Sequence, residues 1–255
     1  MSLFDLTGKT AIITGSSRGI GKAIAEQMAA QGANVTISSR KPGPCQDVAA
    51  AINEQYGEGK AIAVPANISS KEELQRMVDA TNEAFGRVDI VVCNAASNPY
   101  YGPLGDITDE AFSKILSNNI ISNNWLINMC VPQMRERKDG AVIIVSSIGG
   151  LRGSPVIGAY NISKAADFQL ARNLAVEYGK DNIRVNCIAP GLIKTDFAKA
   201  LWDNPDTLKR ALGGTPMKRI GEPIELAGAA VYLASAAGAY TTGQAIVVDG
   251  GATIT

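Results

Sequence analysis

Short β-branched runs alternate with longer amphipathic segments along almost the whole chain. The first kind of segment is typical of buried strands, and the second, with apolar residues three and four apart, is typical of helices. The predicted strands are 10–14, 34–38, 61–64, 90–93, 141–145, 183–188 and 245–248. The predicted helices are 20–31, 45–56, 72–85, 110–137, 158–178 and 222–234. This alternation predicts an α/β protein with a parallel sheet, right-handed crossovers and helices on both faces.

A glycine-rich turn follows the first predicted strand. Residues 14–21 read T-G-S-S-R-G-I-G, and the next segment carries Ile20, Ile24 and Met28 on one helical face. A strand, a tight turn and a helix N-terminus in this order can bind a pyrophosphate through backbone N–H groups and the helix dipole. The spacing is G-x-x-x-G-x-G rather than G-x-G-x-x-G, and such a turn alone is more often purely structural. With the alternation, it favours a single doubly wound, Rossmann-type domain over residues 1–255 with a seven-stranded parallel sheet.

A second motif joins Ser147, Tyr160 and Lys164. Tyr160 and Lys164 are four residues apart in a predicted helix, so their side chains share one face. A neighbouring cation favours the phenolate form of a phenol, whose reference pKa of about 10 otherwise makes it a poor proton donor or acceptor near neutrality. Ser147 could hold a substrate carbonyl or hydroxyl oxygen. Taken alone, Tyr and Lys at this spacing are more often a solvated helix face.

Together the two motifs resemble the short-chain dehydrogenase/reductase family, whose pattern is T-G-x-x-x-G-x-G followed by S…Y-x-x-x-K. The resemblance extends over residues 6–251 and includes C-N-A-A at 93–96, Asn119, P-G at 190–191 and V-D-G-G at 248–251. It implies an oxidoreductase, similar to NADP-preferring carbonyl reductases, that interconverts a ketone or aldehyde and an alcohol by hydride transfer.

The resemblance implies a catalytic role for four residues. Tyr160 would be the general acid in carbonyl reduction and the general base in alcohol oxidation, and Lys164 would favour its phenolate and hold the nicotinamide ribose hydroxyls. Ser147 would donate a hydrogen bond to the substrate oxygen, and Asn119 would hold a water beside Lys164 as a proton relay. Ser146 is the neighbouring alternative, but the gap of thirteen residues to Tyr160 favours Ser147.

The implied cofactor-binding residues follow the carboxyl ends of the predicted strands, which meet at one edge of a parallel sheet. They are Gly15, Ser17, Arg18, Gly19, Ile20, Gly21, Ser39, Arg40, Asn67, Ile68, Asn94, Ala95, Tyr160, Lys164, Pro190, Gly191, Ile193 and Thr195.

Ser39 stands where NAD enzymes carry an acid that accepts hydrogen bonds from the adenosine ribose. Arg40 and Arg18 offer guanidinium groups that suit a 2′-phosphate. The expected cofactor is therefore NADP(H), with NAD(H) less favoured. The alternative interpretation of Arg40 and Lys41 is a solvated pair at the start of a loop.

Composition excludes several classes of function. Lys plus Arg equals Asp plus Glu at 24 each, so no general field favours nucleic acid or an anionic membrane. The absence of histidine excludes Ser-His-Asp hydrolysis and most transition-metal catalysis, and no metal site is expected. The four cysteines lack C-x-x-C spacing, which predicts reduced, buried thiols. We expect a cytoplasmic protein, because neither a signal peptide nor an apolar run of eighteen residues is recognisable.

Residues 195–223 contain few strand formers and interrupt the alternation. We expect a loop or helical segment that covers the substrate, although a plain surface excursion is the alternative. The substrate would be a medium-sized, partly apolar carbonyl or alcohol. Its candidate lining residues are Ser97, Asn98, Tyr100, Tyr101, Leu151, Val156, Ile157, Leu192 and the segment 195–212.

Several activities share these motifs and stay open. A 3-oxoacyl carrier-protein reductase and a sugar or sterol dehydrogenase are the nearest alternatives, whereas an enoyl reductase usually has its Tyr and Lys more widely spaced. A nucleotide-binding regulator without catalysis is the alternative from another class, and the intact Ser147, Tyr160 and Lys164 argue against it. Because family members are commonly tetramers built partly through the helices 110–137 and 158–178, the resemblance also implies a homotetramer.

Overall fold

Seven strands form one parallel sheet in the computed structural model, which describes residues 2–255. The strands are β1 Thr10–Thr14, β2 Asn34–Ser38, β3 Ala61–Ala63, β4 Ile90–Cys93, β5 Gly140–Val145, β6 Ile183–Pro190 and β7 Ala245–Val248. Their order in the sheet is β3-β2-β1-β4-β5-β6-β7. Since β1 pairs with β2 on one side and with β4 on the other, the topological switch point lies between β1 and β4.

The helices fill the intervals between the strands. They are α1 Gly19–Ala30, α2 Pro42–Tyr56, α3 Lys71–Phe85, α4 Asp109–Leu116, α5 Ser122–Arg137, α6 Gly158–Tyr178, α7 Lys199–Trp202, α8 Pro205–Leu212 and α9 Pro223–Ala234. Within residues 2–255, no helix has both the length and the hydropathy needed to cross a bilayer. The predicted α/β fold, with its seven-stranded parallel sheet and surrounding helices, is confirmed.

The sheet is covered on both faces because successive residues of a strand point to opposite sides. Ile13 of β1 packs with Ile24 and Met28 of α1, whereas its neighbour Ile12 packs with Met77 of α3 in a second cluster. All five of these side chains are fully buried, and each such burial contributes about 1.5–3 kcal/mol to the stability of the fold.

The helix predicted over 110–137 is present but is not regular, since a π-helical turn, Ser117–Ile121, separates α4 from α5. The Ser122 hydroxyl donates to the Asn118 carbonyl at 2.6 Å, and the Asn123 amide donates to the Asn119 carbonyl at 2.6 Å. Side chains therefore donate to backbone carbonyls that, in a regular helix, would accept from backbone N–H groups.

Residues 195–223 contain a 3₁₀ turn, Asp196–Ala198, and the short helices α7 and α8 before α9 begins. The Trp202 indole donates to the Thr195 carbonyl at 2.9 Å, which folds α7 back onto the start of the segment. The segment follows β6, so it leaves the sheet at the edge where the strands' carboxyl ends meet. Its predicted role in covering a substrate stays a prediction.

Candidate active site

The turn after β1 requires glycine at several positions. Gly15 and Gly19 have φ values of 66° and 57°, in the left-handed region that L side chains rarely adopt. A Cβ at Gly21 would lie 2.5 Å from both the Gly15 carbonyl oxygen and the Asn94 amide nitrogen. The turn therefore brings the backbone at the start of α1 into a tight cradle that fits a pyrophosphate bound by backbone N–H groups.

The ends of β1 and β4 are tied together beneath this cradle. The Asn94 Nδ2 donates to the carbonyls of Thr14 (2.9 Å) and Gly15 (3.1 Å), and the Thr14 hydroxyl accepts from the backbone N–H groups of Asn94 and Ala95, both at 3.0 Å. Asn94 and Ala95 thus support the turn through their contacts with Thr14 and Gly15. Their predicted contact with the cofactor stays a prediction.

The predicted residues after β6 pack closely against the glycine turn and against the residues that follow β7. A Cβ at Gly19 would lie 3.2 Å from the Thr195 methyl group, and one at Gly191 would lie 2.7 Å from the Asp249 Cα. Ile193 is buried and forms a bridge with Gly221. Pro190 ends β6 in a buried position beside them.

A cleft of about 630 Å³ opens where these two regions meet. The glycine turn lines it through Ser17, Arg18 and Gly19, and the segment after β6 lines it through Thr195 and Asp196. The Arg18 guanidinium pairs with the Asp196 carboxylate at 3.0 Å, and both side chains are largely exposed. Ile20, at the start of α1, packs against the core instead.

The predicted adenosine-binding residues follow β2 and β3. The Ser39 hydroxyl lies 3.1 Å from the Cys45 sulfur, and the Arg40 side chain beside it is exposed. Asn67 is anchored through its N–H to Glu73 at 2.8 Å, and Ile68 packs against the core. The arrangement leaves Arg40 at the rim of the same sheet edge.

Lys164 is buried, with only 2% of its side chain exposed. Its Nζ lies 5.7 Å from the centre of the Tyr160 ring and donates at 3.0 Å to both the Val145 carbonyl and the Asp167 carboxylate. Burial by itself would lower the pKa of Lys164, but the negative charge of Asp167, and then Tyr160, raise the pKa above its ordinary value. The ammonium therefore stays charged beside the phenol.

Ser146 and Ser147 differ in what they contact. The buried Ser146 hydroxyl donates to the Lys164 carbonyl at 2.8 Å, so it joins β5 to α6. Ser147 is half-buried, and its hydroxyl oxygen accepts from the Gly149 N–H at 3.0 Å. The Ser147 hydroxyl proton is thus available to a substrate oxygen.

Asn119 lies in the π-helical turn and is fully buried. Its amide nitrogen donates to the Ser97 carbonyl at 3.1 Å and to the Ser163 hydroxyl at 3.0 Å, and its side-chain oxygen accepts from the Ser97 N–H at 2.8 Å. The side chain therefore fixes the segment after β4 against α6. Its predicted role as the holder of a relay water stays a prediction.

Known proteins match this chain over nearly its whole length. The sequence profile of the family described as enoyl-(acyl carrier protein) reductase covers residues 15–253. Dehydrogenase/reductase SDR family member 4 of Bos taurus is 40% identical over 247 residues, which cover 96% of this chain and 88% of the relative. The chain belongs to the short-chain dehydrogenase/reductase family. The human mitochondrial SDR family member 2 is 39% identical over 246 residues, 96% of this chain and 86% of that protein.

Solved structures of the family have the same fold. A 7α-hydroxysteroid dehydrogenase in complex with NADH and 7-oxo glycochenodeoxycholic acid superimposes with a TM-score of 0.93, at 35% identity and with 98% and 96% of the two chains covered. Levodione reductase superimposes with a TM-score of 0.93, at 30% identity and with 98% and 99% covered. Membership of the family makes the protein an NAD(P)(H)-binding oxidoreductase, as predicted.

The described part of the chain, residues 2–255, holds no cluster of three potential metal-ligating residues. All four cysteines are buried free thiols. The predicted roles of the Tyr160 phenol and the Lys164 ammonium in proton transfer stay predictions.

Sequence reasoning missed Asp167 and Phe197. Asp167 lies three residues after Lys164 on the buried face of α6, and an acid in an apolar stripe was the signal that could have revealed it. The Phe197 ring lies 6.1 Å from the Tyr160 ring, tilted by 40°, although its side chain is 62% exposed. Local sequence carries no signal for that contact, because it depends on how the chain after β6 folds back.

Proposed function

We propose that the protein is an NADP(H)-dependent oxidoreductase that interconverts a ketone or aldehyde and the corresponding alcohol. One observation carries the proposal: a buried, charged Lys164 lies beside the Tyr160 ring at the sheet edge that also holds Ser147 and the glycine cradle. The profile that matches the chain is named for an enoyl reductase. The four-residue spacing of Tyr160 and Lys164 favours a carbonyl substrate.

Each residue has a defined part in the reaction. The bound nicotinamide supplies the hydride in reduction and accepts it in oxidation. Tyr160 donates its phenolic proton to the substrate oxygen during reduction and takes it back during oxidation. Ser147 donates a hydrogen bond to the same oxygen and stabilises the charge that develops on it. Lys164 favours the phenolate, and we assign its remaining hydrogen-bond donor to the ribose hydroxyls.

NADP(H) is the preferred cofactor and NAD(H) the less favoured one. The support is local: Ser39 carries no negative charge to repel a 2′-phosphate, and the exposed Arg40 follows it directly. Arg18 lines the cleft, where its guanidinium pairs with the Asp196 carboxylate. Among similar structures, one is a complex with NADH and another, assigned as a candidate gluconate 5-dehydrogenase of Beutenbergia cavernae, holds NADP.

The substrate is a medium-sized, partly apolar carbonyl compound. Phe197 lies against Tyr160, and the exposed apolar side chains of Tyr101 and Leu151 belong to the neighbouring loops. An aromatic ring beside the reacting phenol favours a flat apolar body over a heavily hydroxylated one. A steroid-like ketone therefore fits better than a sugar.

The working unit is a homotetramer in the cytoplasm. Support for assembly comes from apolar side chains on the outer face of α6, where Ile162 and Val176 are 44% and 86% exposed. Four free thiols suit a reducing compartment.

The proposal is tested by following NADPH oxidation with a panel of cyclic ketones, steroid ketones, 3-oxoacyl thioesters and keto-sugars. Tyr160→Phe removes only the hydroxyl, so NADPH binding, measured by fluorescence, survives while turnover falls by about 10²-fold or more. Tyr178→Phe is the matched control on the same helix, since its hydroxyl donates to the Asn128 side chain at 3.3 Å and lies outside the proposed catalytic group. Turnover of Tyr160→Phe equal to that of Tyr178→Phe would refute the assignment of Tyr160.

A further inference from the structure

Asp167 is a fully buried carboxylate at the catalytic centre. It lies on α6 three residues after Lys164, so the two side chains share a face of the helix. Burying a carboxylate is costly unless the charge is paired. Here the Asp167 Oδ2 accepts from the Lys164 Nζ at 3.0 Å, and both side chains are almost entirely shielded from solvent.

The Asp167 carboxylate also connects Lys164 to the π-helical turn. Its Oδ1 accepts from the Asn123 Nδ2 at 3.4 Å, and the same amide nitrogen donates to the Asn119 carbonyl at 2.6 Å. Asn119 in turn donates to Ser163 of α6. Asp167 therefore joins Lys164 and Asn119 through protein atoms alone.

The other titratable groups that face this pair are a phenol and two thiols: Tyr160 lies on α6, Cys93 on β4 and Cys187 on β6. A third thiol, Cys130 on α5, lies next to Cys93. Burial raises the pKa of Cys130 to about 12 and also raises the pKa values of Cys93 and Cys187 well above the ordinary range of a thiol. The thiols therefore stay neutral at the pH of catalysis. Burial also raises the pKa of Asp167, an effect that the charge of Lys164 and the hydrogen bond from its ammonium oppose. Paired in this way, the Asp167 carboxylate supplies the negative charge that Lys164 meets.

Two of the three ammonium hydrogens of Lys164 are committed. One goes to the Val145 carbonyl of β5 and one to Asp167, each at 3.0 Å. A lysine ammonium has three donors in all. A single donor is left for the Tyr160 side or for a ribose hydroxyl, so Asp167 restricts where the cation can point.

We propose that Asp167 is a positioning residue that holds the Lys164 ammonium in place and sets the pH at which the catalytic pair loses its first proton. The inference rests on the function proposed for Tyr160 and Lys164. With Asp167 ionised, the protonated phenol, the ammonium and the carboxylate together are neutral. Without the carboxylate the same buried group carries one positive charge, and a positively charged group gives up a proton more readily than a neutral one.

Asp167→Asn tests this prediction, because it removes the charge and keeps the shape. The kcat/KM of carbonyl reduction is measured against pH for wild type, Asp167→Asn and Asp167→Glu. The alkaline limb moves to lower pH by about 1–3 units in Asp167→Asn, the range for a charge within a few ångströms. Asp167→Glu restores the charge and moves the limb back toward the wild-type position.

Glu177→Gln is the control on the same helix, because Glu177 is exposed and distant from Lys164 in sequence. It leaves the profile unchanged. If the pH dependence of kcat/KM in Asp167→Asn is the same as in wild type, whether or not the plateau rate falls, Asp167 contributes only to the packing of α6. That result would overturn the proposal. A shift of the alkaline limb to higher pH would overturn it as well.

A second measurement needs no variant at position 167, in case Asp167→Asn does not fold. Lysine labelled with ¹⁵N at Nζ reports the charge of Lys164 in the wild-type protein, with Lys164→Arg identifying its signal. The signal stays that of an ammonium up to about pH 10, near the reference value for lysine. A neutral amine at pH 7 refutes the pairing. Because this readout needs no turnover, it separates failure of the pairing from failure of the proposed reaction.

Discussion

Ser146 and Ser147 are adjacent in the chain but make different hydrogen bonds. The Ser146 hydroxyl donates to the Lys164 carbonyl, whereas Ser147 keeps its proton for a ligand. Ser147→Ala is therefore expected to lower kcat/KM by about 10²–10³-fold, the scale for a lost oxyanion donor. Ser146→Ala loses one buried hydrogen bond, which costs about 0.5–1.5 kcal/mol of stability, and changes the rate less.

Steady-state kinetics and thermal unfolding of both serine variants check this difference. For Ser147→Ala the expected pattern is a large rate defect with a small loss of stability, because the half-buried hydrogen bond to the Gly149 N–H is also lost. For Ser146→Ala it is a stability defect with a smaller rate effect. Equal rate losses in the two variants would contradict the assignment of Ser147.

Arg40 determines cofactor preference if its guanidinium meets the 2′-phosphate. A hydrogen bond to a charged group contributes about 1.5–3 kcal/mol, so one or two of them give about 10- to 10³-fold discrimination. Arg40→Ala is expected to raise the KM for NADPH and leave that for NADH unchanged. Ser39→Asp is expected to shift preference toward NADH, since it adds a ribose acceptor and repels the phosphate.

The measurement is kcat/KM for both cofactors at one ionic strength, because salt screens exposed charges. Arg76→Ala is the control: it removes an exposed positive charge from α3, away from the cleft. Wild-type enzyme that uses NADH as well as NADPH would show that Arg40 is a solvated residue at the start of a loop.

At the scale of elements, the sequence predicted the strands best where they are buried along their whole length, as β1, β4 and β5 are. The bounds of β1, β2, β4 and β7 are those of the predicted segments. The predicted β6 was two residues short, since Pro190 still pairs with Val248 at the end of β7. Proline is a weak signal for a strand, so propensity alone ends the element early.

Helix 110–137 shows where periodicity is insufficient. Apolar spacing continues through the region, and only the polar side chains of Asn118, Asn119, Ser122 and Asn123 mark the π-helical turn. Their effect is on backbone hydrogen bonding rather than on the buried stripe. That turn carries the buried Asn119 amide to Ser97 and Ser163.

Some parts of the candidate site could likewise be predicted from the sequence, and others could not. The glycine turn and the Tyr160–Lys164 pair could be predicted because short stretches of chain fix their geometry. The contacts of Arg18 with Asp196 and of Tyr160 with Phe197 could not, since each joins segments that are distant in sequence. Those contacts are set by how the whole segment after β6 folds over the sheet edge.

At the scale of the whole molecule, α6 has two different faces. Its inner face presents Lys164 and Asp167 to the core, and its outer face presents Ile162, Ala165 and Val176 to solvent in the single chain. The exposed Gln169, Arg172 and Asn173 lie between Ala165 and Val176 on this face, so it is mixed rather than purely apolar. A second copy of the chain packed on this face would bury its apolar positions and would also restrain the helix that carries the catalytic pair.

Val176→Glu tests this assembly, because it places a charge within the proposed contact, where an unpaired buried carboxylate is costly. Wild type is expected to have the mass of four chains of 26.7 kDa each by light scattering, and Val176→Glu a smaller mass. Ala50→Glu, on the exposed face of α2, adds the same charge elsewhere and is expected to keep the wild-type mass. A monomeric wild type, or a Val176→Glu variant of unchanged mass, would mean that the outer face of α6 stays exposed in solution and that Lys164 and Tyr160 are held by the single chain alone.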